Sequence, residues 1–96
     1  MKGSEKQIKW AEDIKAGAYR ALDSLNEMNN LFGERAEEHW KNFSDTASPE
    51  AIEAVRNELD ALFAGCDDAR MIINNRAMMS SESILRHCRD WMNAHK

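Results

Sequence analysis

The sequence predicts an all-α fold, a three- to four-helix bundle with two long antiparallel helices, and three observations carry that reading. The first is a heptad track. Ile52, Val55, Leu59, Leu62, Cys66, Ala69, Ile73 and Arg76 follow one another at spacings of 3, 4, 3, 4, 3, 4 and 3. An α-helix gathers such positions into one stripe that other helices must cover. The second is that no stretch alternates with period two for long enough to argue a strand. The third is composition: one proline and four glycines in 96 residues are too few for a turn-rich β fold. With 43% hydrophobic and 31% charged residues, the chain suits one helical domain covering 1–96.

Each element has local signals. Ser4 is a helix N-cap, Gln7 completes a capping box and Glu5 favours the first turn. Ile8, Ala11, Ile14, Ala18, Leu22, Leu25 and Met28 then form one stripe, which runs to about Phe32, and Gly33 suits the position after a helix end. Roughly 27 residues would make a rod of about 40 Å. Glu34 to Phe43 reads as a shorter helix with Ala36, Trp40 and Phe43 on one side. Residues 44–48 are loop-like. Ser48-Pro49-Glu50 is a strong helix start, with a capping serine, proline at the first helical position and an acid in the first turn.

The third helix carries the heptad track. Gly65 inside it costs about 1 kcal/mol relative to alanine, and a break there with Asp67 as a new cap is the competing reading. One continuous or gently kinked helix is preferred, because the register passes Gly65 without a slip. A last helix begins at Ser80 or Ser81, with Ile84, Leu85, Cys88, Trp91, Met92 and His95 on one face.

Much chemistry is argued against. The polar start Met1-Lys2-Gly3-Ser4-Glu5-Lys6 lacks a signal-peptide apolar region, and the longest apolar run, Ala61 to Cys66, is far short of a membrane span of roughly 20 residues. A cytoplasmic setting is the expectation, in which Cys66 and Cys88 stay thiols and pack as small hydrophobes. His39, His87 and His95 have neither zinc-ligand spacing with those cysteines nor the Glu-x-x-His pairs of a di-iron bundle, so no metal and no cofactor are expected. No nucleophile elbow, P-loop or dinucleotide fingerprint occurs. His87 can pair with Asp90 at i,i+3, which would orient a surface imidazole. The acid pairs Glu37-Glu38 and Asp67-Asp68 read as solvated helix surface. The chain is therefore expected not to be an enzyme. Met71, Met78, Met79 and Met92 read first as core, and Trp10, Trp40 and Trp91 as partly buried bundle residues.

The net charge of −4 hides a segregation, since residues 1–20 carry +2, residues 21–69 carry −9 and residues 70–96 carry +3. If the first and third helices are antiparallel, Lys6, Lys9 and Trp10 share one pole with Arg70, Asn74, Asn75 and Arg76, while Glu27, Glu34, Glu37, Glu38, Glu50 and Glu53 gather at the other. A parallel pairing, with 33–48 as a crossover, scatters them. Asn and Arg at a helix end can satisfy its last carbonyls. Arg76 can also bridge to Glu5 or Asp13. The competing reading makes the pole a recognition site.

Two stretches go beyond generic helix. Gly3-Ser4-Glu5-Lys6-Gln7-Ile8-Lys9-Trp10-Ala11-Glu12-Asp13-Ile14 resembles the opening of small helical proteins from phages and mobile elements of Gram-positive bacteria. Ala69-Arg70-Met71-Ile72-Ile73-Asn74-Asn75-Arg76 resembles their second signature: alanine, a basic residue, two large residues, then Ile-Asp-Asn-Arg. Here Met71 and Ile72 stand where aromatics are usual, and Asn74 replaces the aspartate. The Lys-Gln helix start is also similar to modules appended to DNA-handling proteins. The resemblance implies a mobile-element setting and supplies no activity.

The expectation is a non-enzymatic accessory protein that binds and modulates, including by inhibition, a host or phage protein such as a defence nuclease. Its partner-binding residues would be Lys6, Lys9, Trp10, Arg70, Asn74, Asn75 and Arg76. The alternatives are a nucleic-acid-associated module, which the net charge disfavours, and a homo-oligomer in which two copies bury seam residues.

Overall fold

Side-chain caps fix where the helices start. The computed structural model describes residues 1–96 and is all-helical, with no β-strand. Helix α1 (Glu5–Phe32) opens with a reciprocal capping box: Ser4 Oγ accepts from the Gln7 amide at 3.2 Å and Gln7 Oε1 accepts from the Ser4 amide at 3.0 Å. It stops at Gly33, whose φ of +56° suits glycine. A 3₁₀ turn, Gly33–Arg35, leads without a side-chain cap into α2 (Ala36–Asn42). Helix α3 (Pro49–Ala64) starts at Ser48, whose Oγ accepts from the Ala51 amide. Asp68 caps α4 (Ala69–Asn74) through the Arg70 amide at 2.9 Å. After a second 3₁₀ turn, Arg76–Met79, Ser80 caps α5 (Ser81–Ala94).

α1 and α3 are antiparallel, and their cross-contacts fall in descending register. The Asn29 side chain donates to the Ala47 carbonyl, Arg56 pairs with Asp23 at 2.7 Å, Tyr19 donates to Asp60 at 2.5 Å, and Lys15 lies 5.2 Å from the Phe63 ring centroid. The core runs between them, with Ala11, Ala18, Leu22 and Leu25 from α1 meeting Ala51, Ile52, Val55, Leu59 and Phe63 from α3. Ile84 and Cys88 of α5 close it, and α4 packs on α1. Small residues on α1 let the helices approach, and the molecule is elongated, 46 × 25 × 18 Å.

The expected continuous third helix is wrong. α3 ends at Ala64, the chain breaks through Gly65, Cys66 and Asp67, and the cap of the next helix is Asp68 rather than Asp67. Two local forces favour the break. Glycine lowers the helix's stability at that point, and the freed backbone finds other partners: the Lys2 amide donates to the Asp67 carbonyl at 2.6 Å, and the Ala69 amide donates to Lys2 at 2.8 Å. The heptad track is accordingly core only in pieces. Ile52, Val55, Leu59, Ala69 and Ile73 are buried, but Leu62 is 53% exposed and Phe63 takes its place inside.

The loop-like stretch also differs from a surface loop, because Thr46, Ala47 and Ser48 are buried. Buried backbone needs partners. Thr46 Oγ1 donates to the Asn29 side-chain oxygen, and Arg89 Nη1 donates to the carbonyls of Trp40 (2.7 Å) and Thr46 (3.2 Å). No buried side-chain polar atom is left unsatisfied. The helix expected from Glu34 to Phe43 is split between the 3₁₀ turn and α2, and Phe43 is 58% exposed instead of packing beside Ala36.

Candidate functional site

The two sequence signatures meet. Gly3 sits at φ +135°, a conformation that favours glycine, and a Cβ built there would lie a tight 3.1 Å from the Ala69 Cβ. Seven residues further along each segment, the Arg76 guanidinium lies over the Trp10 ring at 5.2 Å. Arg76 Nη1 also donates to the Ile73 carbonyl at 2.8 Å, capping the end of α4. The expected bridge from Arg76 to Glu5 or Asp13 is absent, since the break after Asn74 turns the guanidinium onto Trp10 and Ile73 instead.

The other residues singled out at this pole divide by what they touch. Arg70 donates through Nε and Nη2 to Asp68, at 3.3 and 3.1 Å; this pairing holds the Asp68 carboxyl below its usual range and raises the guanidinium. Asn75 Nδ2 donates to the Met71 carbonyl at 2.7 Å. Trp10 keeps 48% of its surface exposed. Lys6, Lys9 and Asn74 are exposed, and neither lysine forms an ion pair. Of these residues, Arg76 and Trp10 join α4 to α1, while Arg70 and Asn75 bond within their own segment.

The open surface lies on the other side of α4. The C-terminal half of α3, α4 with its following 3₁₀ turn, and the start of α5 enclose a groove of about 530 Å³. Its floor is core: Leu59, Ile72, Met79 and Ile84 are buried. Its walls are Leu62, Met71 and Met78, exposed by 53%, 58% and 69%. Placing Met71 and Met78 in the core is therefore wrong, although Met79 is buried as expected. On α4, Ala69, Ile72 and Ile73 face inward, so Met71 between them faces outward. At the rim, His87 pairs with Glu58 at 2.6 Å rather than with Asp90, because α5 packs that imidazole toward α3.

Clustered exposed apolar side chains mark contact surfaces, and methionine adapts its flexible thioether to varied partners. Reading the heptad alone hides this surface. Met71, Asn75 and Met78, at spacings of 4 and 3, form a second stripe on the same segment, and all three line the groove.

Cys66 and Cys88 are both free thiols. Burial pushes the Cys88 thiol up to about 11, away from the thiolate form that reacts. Burial and the bond to Asp60 push the Tyr19 phenol up to about 12. No three His, Cys, Asp or Glu side chains converge on a point, and no helix is long and apolar enough to cross a membrane. In comparison with known proteins, the chain matches no family model, no curated protein and no solved structure.

Proposed function

We propose that this chain is a non-enzymatic helical interaction protein whose working surface is the groove walled by Leu62, Met71 and Met78. The carrying observation is that these three large apolar side chains stand together in solvent above a packed core. A monomer gains nothing from exposing them, whereas a partner that covers them recovers about 25 cal/mol for each Å² of apolar surface buried. Asn75 and the Glu58–His87 pair supply polar groups at the rim for orientation.

The resemblance of the two signatures to phage and mobile-element proteins suggests the setting. In it, the chain is an accessory factor that binds and modulates, in one form inhibits, a host or phage protein such as a defence nuclease. The exposed pole of Lys6, Lys9 and Trp10, on the opposite side of α4 from the groove, adds positive charge that can steer the approach of a partner. A purely nucleic-acid role gains little support, because Arg70 and Arg76 are engaged within the molecule and the chain is acidic overall.

Capture from a host lysate tests the reading. Wild type and Trp10→Ala are expected to retain a stoichiometric protein partner that Met78→Glu loses while remaining folded. Retention by Met78→Glu would reject the groove. Salt-sensitive micromolar binding of oligonucleotides would favour the nucleic-acid alternative.

A further inference from the structure

The turn after α3 reverses the chain. α3 runs antiparallel to α1, pairing Arg56 with Asp23 and Asp60 with Tyr19. The next segment runs parallel to α1: Lys2 bridges Asp68, Gly3 lies against Ala69, and Trp10 lies under Arg76, each pair 66 residues apart. α5 then lies antiparallel on α3, with His87 on Glu58 and the Met92 sulfur accepting from the Ser48 amide. Residues 69–94 are therefore an arm folded back onto α1 and α3. Its buried side chains Ala69, Ile72, Met79, Ile84 and Cys88 belong to the one core and form none of their own.

The turn is held by groups that a helix would also use. Gly65 keeps right-handed helical torsions, φ −88° and ψ −5°, and only residues 66–68 lie outside helix or turn. The heptad track crosses this point in unbroken register through Leu59, Leu62, Cys66, Ala69 and Ile73. In a straight helix the Asp67 carbonyl would accept from the Met71 amide, and the Ala69 amide would donate to the Gly65 carbonyl. Here Lys2 takes both: its amide donates to Asp67 at 2.6 Å, and its carbonyl accepts from Ala69 at 2.8 Å. The Asp68 carboxylate likewise takes the Arg70 amide. Strap and helix compete for the same atoms.

We propose that residues 65–68 are a hinge latched by Lys2 and Gly3, and that unlatching lets two copies exchange their 69–94 arms. With the hinge straightened, α3 and α4 become one helix. The arm leaves its own α1 and α3 and packs in the same way on those of a second copy. The core contacts of the arm are remade between chains, so the two states differ chiefly at the hinge and in the association itself. The hinge loses the Lys2 pairing and the Asp68 cap and gains helical hydrogen bonds. The exchange is reciprocal and closes as a dimer. It is independent of the methionine-walled groove as a docking surface, and its failure leaves that reading standing.

Cross-linking across the hinge tells the two states apart. Glu58 and His87 have side chains more than half exposed and meet from either side of the hinge. Glu58→Cys with His87→Cys, in a Cys66→Ser background, is joined by a short bismaleimide and run on a denaturing gel. A closed hairpin gives a product of monomer mass, and an exchanged arm gives a covalent dimer. Two substitutions release the hinge: Gly3→Ala, whose Cβ would lie 3.1 Å from the Ala69 Cβ at φ +135°, and Asp68→Ala, which removes the α4 cap. Losing a cap in each of two chains should raise the dimerisation constant about tenfold. After refolding from urea at about 1 mM, each variant is expected to give several times more dimer-mass product than the latched parent. Circular dichroism checks refolding, and where one variant does not fold the other decides. Monomer-mass product alone from a folded variant, or a dimer in solution whose cross-links stay at monomer mass, would overturn the proposal.

Discussion

The two faces of α4 are one residue apart in sequence and opposite in role. Its inner face, Ala69, Ile72 and Ile73 with Arg76 just beyond, joins Gly3 and Trp10 and locks α1 in place. Its outer face, Met71 with Asn75 and Met78 beyond the helix end, touches nothing that covers it. The lesson is that a recognisable signature need not be a working surface. Here the residues that look distinctive are mostly consumed by the fold, and the inconspicuous methionines beside them are left over.

Substitutions at adjacent positions sharpen that contrast. Ile72→Ala removes a side chain only 2% exposed and should cost about 2–4 kcal/mol in urea denaturation, including the cavity it leaves. Were the loss under about 0.5 kcal/mol, the inner face would not be the structural one.

Next in size is a pH effect at Cys88. The Cys88 value is raised from 9.0 to about 11 by burial, so the folded state prefers the protonated form. A raised value means that this contribution is whole below pH 9.0 and is lost as the pH climbs through about 11. The loss is on the order of 2 kcal/mol. Tyr19, raised to about 12, acts in the same direction at still higher pH. The thiol's share is therefore the difference between wild type and Cys88→Ala, whose stability should fall less between pH 8 and 11 (roughly the window set by the linkage). Equal alkaline slopes would show that the α5 thiol is not sealed in the core.

Arg76→Ala gives up a hydrogen bond to the Ile73 carbonyl and the stack on Trp10, and should lower stability by about 1–2 kcal/mol. Arg76→Lys should recover part of the stack but not the planar guanidinium contact. The smallest expected change is on the outer face. Met71→Ala and Met78→Ala should shift thermal unfolding by no more than about 0.5 kcal/mol equivalent, while weakening whatever contact uses the groove.

Much of the fold was legible in local signals. Ser4 with Gln7, Ser48 with Pro49, and Gly33 marked helix ends that the structure keeps. Charge segregation did not by itself decide the order of α1 and α3; the antiparallel order expected for the two long helices is the one the structure has, and it brings Trp10 beside Arg76. What stayed hidden depends on long-range competition. Nothing near Gly65 reveals that Lys2, far away in sequence, offers its amide and carbonyl to the broken backbone. Once that break is missed, the heptad appears to continue as one helix; the core placement of Met71 and Met78 rests on a separate ground, that methionine among apolar neighbours fills gaps. Asn29 was missed for a similar reason: its role is to satisfy the buried segment at Thr46 and Ala47, which reads as an ordinary polar loop.

The central claim, that α4 holds the fold with one face and meets partners with the other, is tested most directly by measuring two properties on the same two variants. Arg76→Ala and Met78→Glu are each melted and each used for quantitative capture of the lysate partner. The account predicts that Arg76→Ala melts lower yet retains the partner when folded, whereas Met78→Glu melts with wild type and loses it. The reverse assignment, with binding lost from a fully stable Arg76→Ala and kept by Met78→Glu, would contradict the account and return the working surface to the pole of Lys6, Lys9 and Trp10.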